Sequence, residues 1–151
     1  MEYRIIELAP ADFARCGEIW DLACQPALAA QFRAALAAGN RRTWVCEAGG
    51  RYIAEISLVF DMDDADYTIP GRRAYVSHLF VSPAFRRQGI GRLILRHVCG
   101  TARSLGYTEL SVGANLDNYP ALQLYTAEGF DRILRVDRDE GGAYAKLLRQ
   151  L

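Results

Sequence analysis

Apolar and polar positions change period several times along this chain, and those changes predict its elements. Tyr3 to Leu8, YRIIEL, alternates as a strand does. Pro10 and Asp12 then open a helical region running to about Ala38, interrupted near Pro26 and stopped by Gly39 and Asn40. Two strand-like runs, Thr43 to Glu47 and Arg51 to Phe60, flank Gly49-Gly50 and read as a hairpin. An acidic loop, Asp61 to Gly71, leads to a strand from Ala74 to Val81. After it, Ile90, Leu93, Ile94, Val98, Ala102 and Leu105 keep one helical face, closed by Gly106. Tyr107 to Val112 reads as a strand, and a short helix starts near Asn118 and Pro120 and ends at Gly129. Two last runs, Phe130 to Asp137 and Ala143 to Leu148, flank the turn Asp139-Glu140-Gly141-Gly142. The order β, α, α, β, β, β, α, β, α, β, β predicts an α+β (mixed α/β) fold in which helices cover a mixed sheet. Strict βαβ alternation is absent.

Composition narrows the partners. A chain of 151 residues without internal repeat or linker reads as one domain, 1–151, and that length buries about 68 to 70% of its unfolded surface without staples. Hydrophobic residues make up 51% and charged residues 24%, ordinary globular usage. Eighteen basic side chains balance eighteen acidic ones, which argues against a general nucleic-acid or membrane-surface binder. Cys16, Cys24, Cys46 and Cys99 form no CxxC pair and have no histidine at zinc-site spacing, so they read as reduced thiols, and no metal site is expected. MEYRIIELAP begins with an acid and alternates like a strand, unlike a signal peptide, and no apolar run approaches the ~18 residues of a membrane helix. The expected location is the cytoplasm.

Chemistry concentrates in SPAFRRQGIGRLIL, residues 82 to 95, between the Ala74–Val81 strand and the following helix. A helix that starts at a glycine loop turns its first N–H groups and the positive end of its dipole toward the loop, a place for an anion. Glycine at 89 and 91 removes Cβ atoms that would hold a ligand away, and Arg86 and Arg87 can supply charge to phosphate oxygens. The six residues from Arg86 to Gly91 also fit a surface turn with solvated arginines. A P-loop would need Gly-Lys-Ser/Thr, whereas Arg92 and Leu93 follow Gly91. A dinucleotide fingerprint would need a third glycine where Ile94 stands, and Glu109, about 20 residues on, reads as mid-strand.

With its context, VSPAFRRQGIGRLIL resembles the acyl-CoA pyrophosphate loop of the GNAT superfamily of N-acetyltransferases, Gln/Arg-x-x-Gly-x-Gly/Ala, here Arg86-x-x-Gly89-x-Gly91. NLDNYPALQLYTAEGF resembles the superfamily's second motif, with Asn115 after a strand, Tyr125 in a short helix, then Gly129-Phe130. The two motifs lie at the family's usual separation, and the order of elements is similar over nearly the whole chain. The resemblance implies a mostly antiparallel sheet of about seven strands with a splayed centre, flanked by about four helices. It implies acetyl-CoA as co-substrate, held by Leu79, Phe80 and Val81 of the strand and by Arg86, Arg87, Gln88, Gly89, Ile90, Gly91 and Arg92 of the loop and helix start. Asn115 would contact the pantetheine arm or a water, or only shape its turn.

Any amine acetyltransferase must deprotonate an alkyl ammonium, which costs about 4.6 kcal/mol at pH 7. It must also polarise a thioester carbonyl and protonate a departing thiolate. By resemblance Tyr125 is the leaving-group acid; packing is the alternative role for a tyrosine on a short amphipathic helix. Many relatives carry an acid on the strand before the loop, where this chain has Ser77 and His78. His78 can serve as base, since imidazole titrates near 6.5, or can merely hydrogen-bond. Glu55 is the rival, although its alternation also fits a solvent-facing position. The base stays open between them.

The loop DMDDADYTIPGR places Asp61, Asp63, Asp64 and Asp66 before the core strand. A calcium loop would need glycine where Asp66 stands and glutamate where Arg72 stands. Solvated acids, or a surface steering a cationic acceptor, remain. The expected function is acetyl transfer to a primary amine of a small molecule or protein by direct attack in a ternary complex. A sensor that binds acyl-CoA without turnover is the alternative, and a homodimer is left open.

Overall fold

The computed structural model describes residues 2–151. Its seven strands are β1 (Arg4–Glu7), β2 (Arg41–Ala48), β3 (Arg51–Val59), β4 (Arg73–Val81), β5 (Glu109–Asn115), β6 (Arg132–Asp139) and β7 (Gly142–Gln150). Three α-helices, α1 (Pro26–Ala38), α2 (Ile90–Ser104) and α3 (Tyr119–Ala127), join a 3₁₀ segment, Pro10–Glu18, as the four longer helical elements. Strand order is β1-β2-β3-β4-β5-β7-β6. The β4–β5 pair is parallel, whereas β1–β2, β5–β7 and β6–β7 are antiparallel, so the sheet is mixed as expected.

The chain divides into two compact units. One comprises the chain up to Leu58 with Ser77–Val98. Its core is Leu8, Phe13, Cys16, Ile19, Trp20, Phe32, Leu36, Val45 and Tyr52, with Phe80 packed against it. The helical region expected from Pro10 is here two 3₁₀ pieces, Pro10–Glu18 and Leu22–Cys24, ahead of α1. Asp21 explains part of the break: its carboxylate accepts the N–H groups of Ala23 and Cys24 and caps the second piece. Pro26 opens α1 instead of interrupting it, because the first turn needs no N–H from that residue. Gly39, at φ 79°, takes the left-handed conformation that ends α1. In β3 every residue from Tyr52 to Val59 is buried, so a strand that alternates in sequence is covered on both faces.

The other unit comprises Val59–Val76 and Cys99–Leu151. Here Arg73–Val76 of β4 register with Glu109–Val112 of β5, and the parallel ladder ends there. β5 begins two residues later than the sequence predicts. After Gly106, at φ 95°, the Tyr107 N–H still bonds back to the Ala102 carbonyl, and the Thr108 and Glu109 N–H groups go to the Arg72 carbonyl. Glu109 is therefore the first residue of β5 and not mid-strand; its buried carboxylate lies 3.0 Å from both Arg72 Nε and Arg73 Nε, a structural role. In α3, Asn118 Oδ1 caps the Ala121 N–H and Pro120 occupies the first turn.

Candidate active site

The least expected arrangement surrounds Glu55 in the first unit. Its carboxylate is 1% exposed, which corrects the solvent-facing alternative. A buried carboxylate needs hydrogen-bond partners, and three groups face it. Trp20 Nε1 donates to Oε1 at 2.5 Å, and His78 Nδ1 lies 3.2 Å from Oε2. The Cys16 thiol also hydrogen-bonds the carboxylate; burial and the nearby Glu55 charge push that thiol up, so it remains a donor. His78 and Glu55, rivals from the sequence, thus form one pair.

Backbone geometry brings His78 there. His78 sits in β4 at φ 55°, a left-handed conformation that a non-glycine residue adopts only when its surroundings impose it. Its ring is held edge-on by Trp20 (centroids 4.8 Å apart) and Phe32 (5.3 Å) and stacks with Phe80 (5.6 Å). Some 18% of its side chain stays exposed. Ser77, beside it, accepts a hydrogen bond from Arg41 Nη1 at 3.0 Å, and the Arg41 guanidinium lies 3.5 Å above the Phe32 ring.

The glycine loop follows β4 through a short 3₁₀ turn, Pro83–Phe85. Arg87 (φ 62°) and Gly89 (φ 80°) both take positive φ, curling the backbone just before α2. Nothing lies within 4 Å of where a Gly89 Cβ would project. The Leu93 N–H makes the first helical bond of α2, to the Gly89 carbonyl at 3.0 Å, so the preceding turn is the helix's positive end. Ile90 is buried and anchors that end, while Gly91 and Arg92 form its first turn. Arg86 stays exposed, yet its Nε donates to the Val81 carbonyl at 2.9 Å, and its guanidinium lies over the Phe80 ring. Gln88 Oε1 accepts from the Tyr3 hydroxyl at 2.8 Å. Leu79, Phe80 and Val81 are all half-buried.

In the second unit, Tyr125 lies near the C-terminal end of α3, 7% exposed and edge-on to Phe130. Burial, with a smaller contribution from Tyr75, pushes its phenol up to about 12. Asn115 ends β5 as an exposed residue, and its backbone carbonyl accepts the Asn118 N–H at 3.0 Å. The acidic loop is not uniformly solvated: Lys146, buried in β7, binds Asp64 at 2.9 Å and Asp66 at 3.2 Å. Asp61 and Asp63 are exposed.

Sequence reading missed Trp20, Cys16 and Phe32. Cys16 lies in the 3₁₀ segment and Trp20 in the bend that follows it, where no periodicity marks which side faces inward, and each reaches Glu55 across more than thirty residues of chain.

The sequence profile described as Acetyltransferase (GNAT) family matches residues 4–130. Human N-acetyltransferase 8 is 32% identical over 89 residues, which is 59% of this chain and 38% of that protein. The chain thus spans well under half the length of the curated relatives it matches. Among solved structures, an IAA acetyltransferase from Bacillus cereus ATCC 14579 superposes with a TM-score of 0.78 at 20% identity, covering 99% of this chain and 100% of that one. A GNAT family acetyltransferase from Elizabethkingia anophelis with acetyl-CoA bound gives 0.71 at 19% identity, covering 99% and 98%. No helix among the described residues is long and apolar enough to cross a membrane. Because the profile runs from β1 to Phe130, taking in the strand that carries Glu55, the glycine loop and the helix that carries Tyr125, this chain belongs to the GNAT acetyltransferase family.

Proposed function

We propose that the protein transfers an acetyl group from acetyl-CoA to a primary amine. The observation that carries this reading is the loop between β4 and α2, where positive φ at Arg87 and Gly89 and the open space at Gly89 leave backbone accessible at a helix N-terminus. That arrangement fits a pyrophosphate, which needs N–H donors, positive charge and no Cβ in the way. Gly89, Gly91 and the flanking Arg86, Arg87, Gln88, Ile90 and Arg92 are the residues that would hold it. Leu79, Phe80 and Val81 would pair with the pantetheine arm, with Arg86 releasing the Val81 carbonyl it now binds. Asn115 would contribute at the end of β5. Acetyl-CoA supplies an activated thioester carbonyl.

The remaining chemistry falls to this chain's side chains. His78 Nε2, the ring nitrogen that does not face Glu55, takes the proton from the acceptor nitrogen, and Glu55 at Nδ1 stabilises the imidazolium that results. As the new N–C bond forms and the C–S bond breaks, the Tyr125 hydroxyl gives its proton to the departing sulfur. With its phenol raised to about 12, Tyr125 keeps that proton throughout the usual assay range. A panel of primary amines, small molecules and peptides, scored for CoA release from saturating acetyl-CoA, tests the reading. Turnover with at least one class is expected. Tight acetyl-CoA binding without turnover on any amine would replace the enzyme with a sensor, and absence of binding would remove both.

A further inference from the structure

Trp20 makes the shortest hydrogen bond to the Glu55 carboxylate, and no step described so far uses it. Indole nitrogen donates and never accepts. Glu55 Oε1 is therefore committed as an acceptor, which leaves Oε2 to face His78 Nδ1. Two arrangements of that second contact are chemically distinct. With Glu55 ionised, Nδ1 carries the hydrogen and donates it, leaving a lone pair on Nε2. With Glu55 protonated at Oε2, the carboxyl donates to Nδ1, and the hydrogen of the neutral ring sits on Nε2, where no base remains.

The geometry points to Trp20 as a positioning residue that commits Glu55 Oε1, turns Oε2 toward His78 Nδ1 and thereby sets the His78 tautomer with the free lone pair on Nε2. This rests on the reading of His78 as the base. Its physical basis is general: a donor to a carboxylate favours the charged form, and hydrogen bonds to charged groups are the strong ones. Other groups bear on the same carboxylate. From the Pro10–Glu18 segment, the Cys16 thiol adds a second donor, and the Glu18 charge also acts on that thiol. From β2, the Arg41 charge acts on that thiol in the opposite direction, while its guanidinium lies over the Phe32 ring. Trp20 itself is fixed on both sides. Its N–H bonds back to the Cys16 carbonyl at 3.1 Å, and its ring meets Phe32 edge-on with centroids 6.0 Å apart. Ser82, at the end of β4, ties the Ile19 carbonyl and, through its own N–H, the Ile53 carbonyl of β3, so the Trp20 segment and the Glu55 strand share one anchor.

Trp20→Phe removes the N–H and keeps an aromatic ring against Phe32 and His78. The acid limb of the pH profile of kcat/KM should move upward by about one to two pH units, the worth of one hydrogen bond to a charge, while the high-pH plateau falls much less. A merely structural role would lower the plateau without moving the limb. His78→Gln is the companion variant, expected to lower kcat/KM by about 10² to 10⁴-fold across the profile. Full activity in His78→Gln would remove His78 as base; a loss there together with an unmoved limb in Trp20→Phe would overturn the role of Trp20 alone. A readout independent of turnover is the ¹⁵N spectrum of the His78 ring in the wild-type protein, which reports its tautomer directly. The hydrogen is expected on Nδ1 at neutral pH, and a neutral ring with its hydrogen on Nε2 would overturn the proposal even if Trp20→Phe failed to fold.

Discussion

Tyr125 joins a position in the chain to a chemical requirement. Replacement by Phe keeps the ring that meets Phe130 edge-on, so folding and acetyl-CoA affinity should change little. What disappears is the hydroxyl alone. A positioned general acid is worth about 10² to 10⁴-fold, so kcat at saturating substrates should fall by roughly that factor with KM for acetyl-CoA nearly constant. Because burial raises the phenol to about 12, wild-type kcat should show no loss attributable to Tyr125 ionisation below about pH 11. Retention of more than half of wild-type kcat in Tyr125→Phe, with chemistry shown to limit turnover, would return Tyr125 to a packing role. The loss should also shrink with an acyl donor whose thiol is more acidic, since that sulfur departs without help.

At the level of elements, the loop between β4 and α2 and the clasp on the acidic loop do different things. Gly89→Glu places bulk, negative charge and a disfavoured positive φ where backbone must approach pyrophosphate. Calorimetric affinity for acetyl-CoA should drop by at least tenfold, with Arg86→Ala weaker in effect; unchanged affinity in both would sink the assignment of the loop. Lys146 instead serves stability. Burial alone would raise the Asp64 carboxyl, yet the Lys146 ammonium and the Asp66 N–H outweigh it and hold Asp64 below the ordinary carboxylate range. Its share of stability is then fully present above the unfolded value of about 3.9 and is lost as pH falls through the lower folded one. Lys146 is raised by the same pair against the opposing effect of its burial, so its share persists at neutral pH and fades only in strong base. Lys146→Met should cost roughly 1 to 3 kcal/mol at pH 7, and the difference in Tm from wild type should narrow by pH 3. A difference that stays constant across that range would mean the clasp contributes packing and not charge.

Across the whole molecule, what could be read from residues and what could not divide along physical lines. Gly89, Gly106 and Gly129 were legible because only a residue tolerant of positive φ serves those turns, and all three adopt it. Strands β1 to β4 and helices α2 and α3 were legible by period. Periodicity does not separate a 3₁₀ turn from an α-helix, so Pro10–Glu18 was misread. Nor does alternation show that both faces of a strand are covered, and Glu55 looked exposed for that reason. Long-range electrostatics were half legible. With eighteen charges of each sign, no net field draws a cationic acceptor toward this chain, so any steering has to be local. The acidic loop was the candidate, but Lys146 neutralises much of Asp64 and Asp66, which leaves the exposed Asp63 as the better-placed charge. The two aspartates should therefore separate experimentally. Asp63→Asn should lower kcat/KM for a cationic amine about twofold at low ionic strength and hardly at all at ~1 M salt, where the Debye length is about 3 Å. Asp64→Asn should lower Tm in either salt while leaving the salt dependence of kcat/KM close to that of wild type. If Asp63→Asn reduces kcat/KM by the same factor at both ionic strengths, Asp63 makes a direct contact or supports the loop, and the acidic loop does not steer.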